Sequence, residues 1–160
     1  MRTRFMAHTL REHELERTTI RPWSNPGRVP SPGAVAVSVR YIVRDVDEAI
    51  AFYGEHFGFE VVMHPAPPFA MIARGDLRLL LSAPSGQGGG GQTLSGGRRP
   101  EPGGWNRFQI EVDDLLAEAE RLRAAGVALR SDIIHGVGGD QLLVEDPSGN
   151  PVELFSPGQR

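Results

Sequence analysis

A repeat in this chain sets four positions in correspondence, Ser38, Leu80, Arg107 and Glu153, and only Glu153 among them is a plausible metal ligand. A catalytic divalent cation needs neutral imidazole, carboxylate or amide oxygen, with at least three protein donors in common sites. Here only Glu153 qualifies, since Leu80 has no donor and the Arg107 guanidinium repels a cation. The spacing instead favours a charge-assisted pair between Arg107 and Glu153, because a carboxylate taken out of water needs such a partner. An Arg in this position can also hold a carboxylate, enolate or phenolate. His64 and His135 follow the second strand of each half and could act as bases, although their Pro- and Gly-rich surroundings place them in rim loops. His56 falls on a helix and reads as solvated, while His8 and His13 lie in the N-terminal arm.

These positions gain meaning from a repeat. Residues 39–46, Val-Arg-Tyr-Ile-Val-Arg-Asp-Val, and 108–115, Phe-Gln-Ile-Glu-Val-Asp-Asp-Leu, each read as a strand running into an acidic helix start. Each half closes on a similar strand, Leu79-Leu80-Leu81-Ser82-Ala83-Pro84 or Val152-Glu153-Leu154-Phe155-Ser156-Pro157. In the first half the pattern predicts a strand over 35–43, a helix capped by Asp45 and stopped by Gly58, and strands over 59–63, 69–73 and 77–82. Pro65, Pro67 and Pro68 are expected to end the second of these strands. The second half predicts a strand over 107–112, a helix over 115–125 stopped by Gly126, and strands over 128–133, 141–145 and 151–155.

Strand alternation assigns faces. Tyr41, Val43, Phe108, Ile110, Val152 and Leu154 go to the helices. The opposite, open face receives Ser38, Arg40, Arg107, Gln109, Glu111, Glu153 and Phe155, with Leu80 and Ser82 in the matching first-half places. Phe69 and Met71 are candidate apolar walls. Trp105, just before the second half, is a candidate cap over a cavity or a packing anchor for the linker. The fold class is α+β, two tandem β-α-β-β-β modules forming a curved sheet around a cleft.

The domain plan is a leader over 1–34, module one over 35–84, a Gly-rich linker over 85–104 and module two over 105–157. The leader holds six Arg and three Glu, a short polar helix over 9–19 and a Pro-rich stretch over 21–33. The linker lacks the strand, spaced glycines and following helix of a phosphate loop. A net charge of −3 argues against nucleic acid and anionic membranes as partners. With Cys 0, thiolate chemistry is excluded. No apolar run approaches the ~20 residues that span a bilayer, and no secretory segment is evident, so a cytoplasmic location is expected.

Three stretches carry a family resemblance: Arg44 to Tyr53 with Phe57-Gly58-Phe59, Glu111 to Leu115 with Leu122 to Val127, and Glu145 to Phe155. In this order they resemble the vicinal oxygen chelate superfamily, which includes glyoxalase I, bleomycin-resistance proteins and extradiol dioxygenases. The resemblance implies metal ligands seven residues before each helix-capping Asp, at Ser38 and Arg107, and on the last strands, at Leu80 and Glu153. It also implies a homodimer. The expectation is therefore a protein binding a small anionic or polyfunctional metabolite, with no cofactor and no metal in the usual place. One alternative is a glyoxalase- or dioxygenase-type enzyme with a shifted metal site using Glu153 with His64 or His135. Another is a metal-free lyase or isomerase with Glu153 as base and Arg107 stabilising an oxyanion.

Overall fold

A computed structural model describes residues 37–84 and 89–158. The leader, with its expected helix, lies outside the described residues. The first half runs β1 (Ser38–Ile42), α1 (Val46–Phe57), β2 (Glu60–Ala66), β3 (Phe69–Arg74) and β4 (Leu77–Ser82). The second runs β5 (Gln109–Glu111), α2 (Leu115–Ala124), β6 (Ile134–Gly136), β7 (Gly139–Glu145) and β8 (Pro151–Pro157). Sheet order repeats too, as β1-β4-β3-β2 and β5-β8-β7-β6, with β1–β4 and β5–β8 parallel.

Both helices start where their carboxylates put them. Asp45 accepts from the Glu48 amide at 2.9 Å, and Asp114 accepts from the Ala117 amide at 2.9 Å. Each satisfies an amide that the first turn leaves without a partner. Gly58, at φ 66°, ends α1 in a left-handed turn that a Cβ would disfavour. One face of α1 then buries Val46, Ala49, Phe52, Tyr53 and Phe57.

His56 continues that buried face, against the expectation of a solvated side chain. Its ring lies 5.1 Å from that of Phe52, and burial lowers its pKa, which favours the neutral imidazole. Polarity alone suggests exposure here, but the helical period places the side chain inward.

Two strand assignments are also corrected. β2 continues through Pro65 because it is the outermost strand, where a missing amide costs no ladder bond; its register shifts between Val61 and Met63 and again before Ala66. The expected strand over 128–133 does not form. Leu129 makes an isolated bridge to Val144, and the Ser131 hydroxyl takes the Leu143 amide that a regular ladder would use. The second strand of module two is instead the short β6.

One core spans both halves. Phe108 joins them, its ring 5.5 Å from Tyr41, 6.2 Å from Tyr53 and 6.0 Å from Phe59. Polar bonds close the joint around it. The Tyr41 hydroxyl donates to the Pro151 carbonyl at 2.7 Å, and Asn150 Nδ2 donates to the Ile42 carbonyl at 2.9 Å. The turn carrying Asn150 is ordered by buried Asp146, which accepts from the Ser148 and Asn150 amides. Among the described residues no helix is long and apolar enough to cross a membrane.

Candidate functional site

Register shows how the repeat lays out the open face. Arg40 pairs with Leu80, and Gln109 pairs with Glu153, so the two positions correspond. Ser38 lies two residues earlier on β1, and Arg107 lies two residues before Gln109, just ahead of β5. Leu80 and Glu153 therefore occupy matching places in the two sheets. Met71 sits beside Leu80, and Phe69 beside Ser82. Across β5, β8 and β7 one row holds Gln109, Glu153 and Leu143, and the next holds Glu111, Phe155 and Gln141.

Glu153 is the buried carboxylate of this face, at 7 % exposure. It accepts from Arg107 Nε at 2.6 Å and from Gln109 Nε2 at 2.6 Å, one donor to each oxygen. Burial raises its pKa, but hydrogen bonds from Gln109 and Arg107 and the guanidinium charge outweigh that and hold it below the ordinary value. A carboxylate stabilised in this way is a weak base near neutral pH. Arg107 also donates to the Trp105 carbonyl at 3.2 Å.

The first-half counterpart is organised differently. Arg40 Nη1 donates to the Ser82 hydroxyl at 2.5 Å, and its guanidinium lies 5.9 Å from the Phe69 ring centroid. A 3-10 turn at Gly89–Gly91 lies against β1 and β4. A Cβ on Gly90 would meet the outer part of the Arg40 side chain, which would have to move aside. Gly139, at φ 144°, is more strictly required, since a Cβ there would overlap the Ser156 carbonyl oxygen and then the Phe155 ring and the Gly158 amide.

The two candidate histidines lie elsewhere. His64 Nδ1 is 3.7 Å from Asp47 in the first turn of α1. His135 Nδ1 is 2.9 Å from Asp140 at the tip of the β6–β7 hairpin. Asp140 pairs with Ser156, which alternates with Phe155, so this row faces the helix side rather than the open face. The structure brings together Ser38, Arg40, Phe69 and Met71 on one half-face and Arg107, Gln109, Glu111, Glu153 and Phe155 on the other.

Sequence reasoning missed two supports. One is Ser82, which accepts from Arg40 across the β1–β4 pairing. The other is Arg130, which donates to Glu145 and to the carbonyls of Gly104 and Gly149. No local pattern marks it, because its partners come from the linker at Gly104 and from the end of β7 and the turn after it, at Glu145 and Gly149. A groove of about 410 Å³ also opens on the helix side, between Phe52 and His56 of α1 and the 125–128 and 145–149 segments. It does not include Arg107 or Glu153.

The sequence profile of the Glyoxalase/Bleomycin resistance protein/Dioxygenase superfamily matches residues 35–154. The chain belongs to this superfamily. Similar solved structures include a superfamily member from Sphaerobacter thermophilus DSM 20745, with 25 % identity and TM-score 0.61, covering 77 % of this chain and 97 % of that one. TnmS3, an antibiotic binding protein from Streptomyces sp. CB03234, has 25 % identity and TM-score 0.58, covering 78 % and 98 %. Lactoylglutathione lyase from Agrobacterium tumefaciens has 24 % identity and TM-score 0.59, covering 78 % and 95 %, a likeness of fold alone. No curated protein sequence matches.

The metal ion that the superfamily resemblance implies does not fit these residues. Leu80 offers no donor, Arg107 brings a positive charge, and both Glu153 oxygens already accept hydrogen bonds. Among the described residues no group of three His, Cys, Asp or Glu side chains could hold a metal elsewhere.

Proposed function

We propose that this superfamily member binds a small anionic or polyfunctional metabolite on the open face, without a metal at the family's usual position. One observation carries this: the only metal-competent side chain of the four, Glu153, is engaged by Arg107 and Gln109 at 2.6 Å each. Arg107 keeps its Nη2 amine for a ligand oxygen, and Gln109 keeps its side-chain carbonyl as an acceptor. Phe155, Phe69 and Met71 supply apolar walls, and Arg40 adds positive charge from the first half. The antibiotic-binding activity named for TnmS3 supports a binding role on this scaffold. In the same proposal the protein acts as a cytoplasmic homodimer.

A lyase or isomerase using Glu153 as base has less support, since a carboxylate held below its ordinary pKa takes up a proton poorly. The test is metal content after purification without a metal-affinity tag, then thermal shift with and without chelator. The expected result is substoichiometric metal and an unchanged midpoint. Tightly bound metal in a one-to-one ratio, with stability lost on chelation, overturns the proposal. A metabolite panel against Arg107→Ala then separates a ligand clamp from a structural pair, since the clamp predicts that hits weaken.

A further inference from the structure

Trp105 is 71 % exposed, yet nothing about its setting is loose. Its ring lies over the Arg130 guanidinium, 5.2 Å from centroid to Cζ. That guanidinium is fixed by three acceptors: Glu145 at 2.6 Å, the Gly104 carbonyl at 2.8 Å and the Gly149 carbonyl at 3.0 Å. The backbone on either side is held as well, by Gly103 N to Asn150 Oδ1 at 2.7 Å and by Arg107 Nη1 to the Trp105 carbonyl at 3.2 Å. Exposed large aromatics usually carry rotamer freedom that binding must remove. Here the ordering is already built in.

Its place on the sheet follows from register. Glu145 pairs with Pro151 and Gln109 with Glu153, so Pro151 and Glu145 form the row two residues from Glu153, and Arg107 lies two residues before β5 begins. Two residues along a strand is ~7 Å. The Trp105 carbonyl accepts from Arg107, and its ring lies over Arg130, which bonds Glu145 in this row. The row beyond Glu153 holds Phe155. Trp105 thus lies two residues before Arg107, and Phe155 two residues after Glu153 on β8.

We infer that Trp105, backed by Arg130, is a stacking platform for a planar aromatic acid whose carboxylate or phenolate oxygen meets Arg107. This rests on the open-face binding role proposed above and names the ligand class. The cation behind the indole draws electron density toward itself, which favours an electron-rich ring on the open side. A carboxylate or phenolate attached to that ring reaches the Nη2 amine one row away, where a charge-assisted bond forms.

The chain has two tryptophans, so Trp23→Phe leaves Trp105 as the only indole. In that background, nitrogen-15 spectra follow the Trp105 indole N–H, and calorimetry follows binding of 2-naphthoate and cyclohexanecarboxylate. The expected outcome is a saturable shift of the indole signal by 2-naphthoate, with affinity about tenfold above that of the non-planar acid. Trp105→Ala should abolish this preference, and Trp105→Phe should keep part of it. No indole shift at millimolar 2-naphthoate, equal affinity for both acids, or a preference surviving in Trp105→Ala overturns the platform. A changed oligomeric state in Trp105→Ala, read by gel filtration, also overturns it, because the ring would then be covered by a second copy. If Arg107→Ala weakens both acids equally while Trp105→Ala changes neither, the platform fails and the open-face binding role stands.

Discussion

The Tyr53 hydroxyl, from α1 of the first half, donates at 3.0 Å to the buried Asp146 carboxylate in the turn before β8 of the second. This bond ties the first helix to the turn that aims Glu153 into the open face. Asp146 also accepts from Asn150 Nδ2 and from two turn amides, so it is buried with its hydrogen-bonding capacity used. Tyr53→Phe keeps the ring packing and removes one bond to a charged acceptor, which should cost about 1–3 kcal/mol. Urea unfolding at neutral pH checks this, with an unchanged slope showing that only the native state was affected.

Alkaline pH should open the same joint. Burial pushes the Tyr41 hydroxyl up to about 12, and burial together with the Asp146 charge raises Tyr53 well above 10.0. Groups raised in the folded state give stability that is complete below the unfolded value and declines as pH climbs above it. The decline therefore begins near pH 10.0 and continues to about 12 and above. These are the chain's two tyrosines, so tyrosinate absorbance should rise together with loss of the circular dichroism signal. A tyrosinate signal centred near pH 10 in protein that is still folded would contradict this.

Much of the frame is legible in the sequence. Both helix caps, both glycine stops and the inward and outward sets of β1, β5 and β8 follow from short-range rules that act within a few residues. The strand ends were less legible, because Pro65 is tolerated only on account of β2's edge position, a property of sheet order rather than of sequence. The same limit explains His56, polar by type but set by helical period into the core. Of the open face, the Arg107–Glu153 pair could be anticipated from repeat spacing. Arg40's bond to Ser82, the linker passing at Gly90 and the Arg130 anchor depend on tertiary register, which local pattern does not encode.

Removing Arg107 should matter more than removing the whole pair. Arg107→Ala leaves a buried carboxylate with Gln109 as its remaining donor, at a cost of about 1–2 kcal/mol given the Arg side chain's 31 % exposure. The double replacement Arg107→Met with Glu153→Met should cost less than the sum of the singles. Acid titration gives an independent check. Glu153 is lowered from 4.5, so its contribution is present above that value and is lost as pH falls through the lower folded value. In Arg107→Ala the folded value rises toward the ordinary one, and the dependence of stability on pH below 4.5 should flatten accordingly. An identical acid profile in wild type and variant would remove the pair from the account.

The clearest test of the open face is to put back what it lacks. Because Arg40–Leu80 and Gln109–Glu153 occupy equivalent register positions, Ser38→His, Leu80→Glu and Arg107→His should place two imidazoles and a second carboxylate around Glu153. Arg107→His does two things at once: it removes the repelling charge, and it frees a Glu153 oxygen from its 2.6 Å bond. The triple variant should bind Co²⁺ with visible absorption bands typical of nitrogen and oxygen ligands, and its thermal midpoint should rise with metal concentration. Wild type should show neither. Single replacement of Leu80 by Glu should fail, because Arg107 would still satisfy and neutralise Glu153 and repel the ion. A folded triple variant without Co²⁺ absorption would mean that the two half-faces do not approach within coordination distance. In that case the face was never a metal site that lost its ligands, and its Arg–carboxylate pair is an independent solution to burying Glu153.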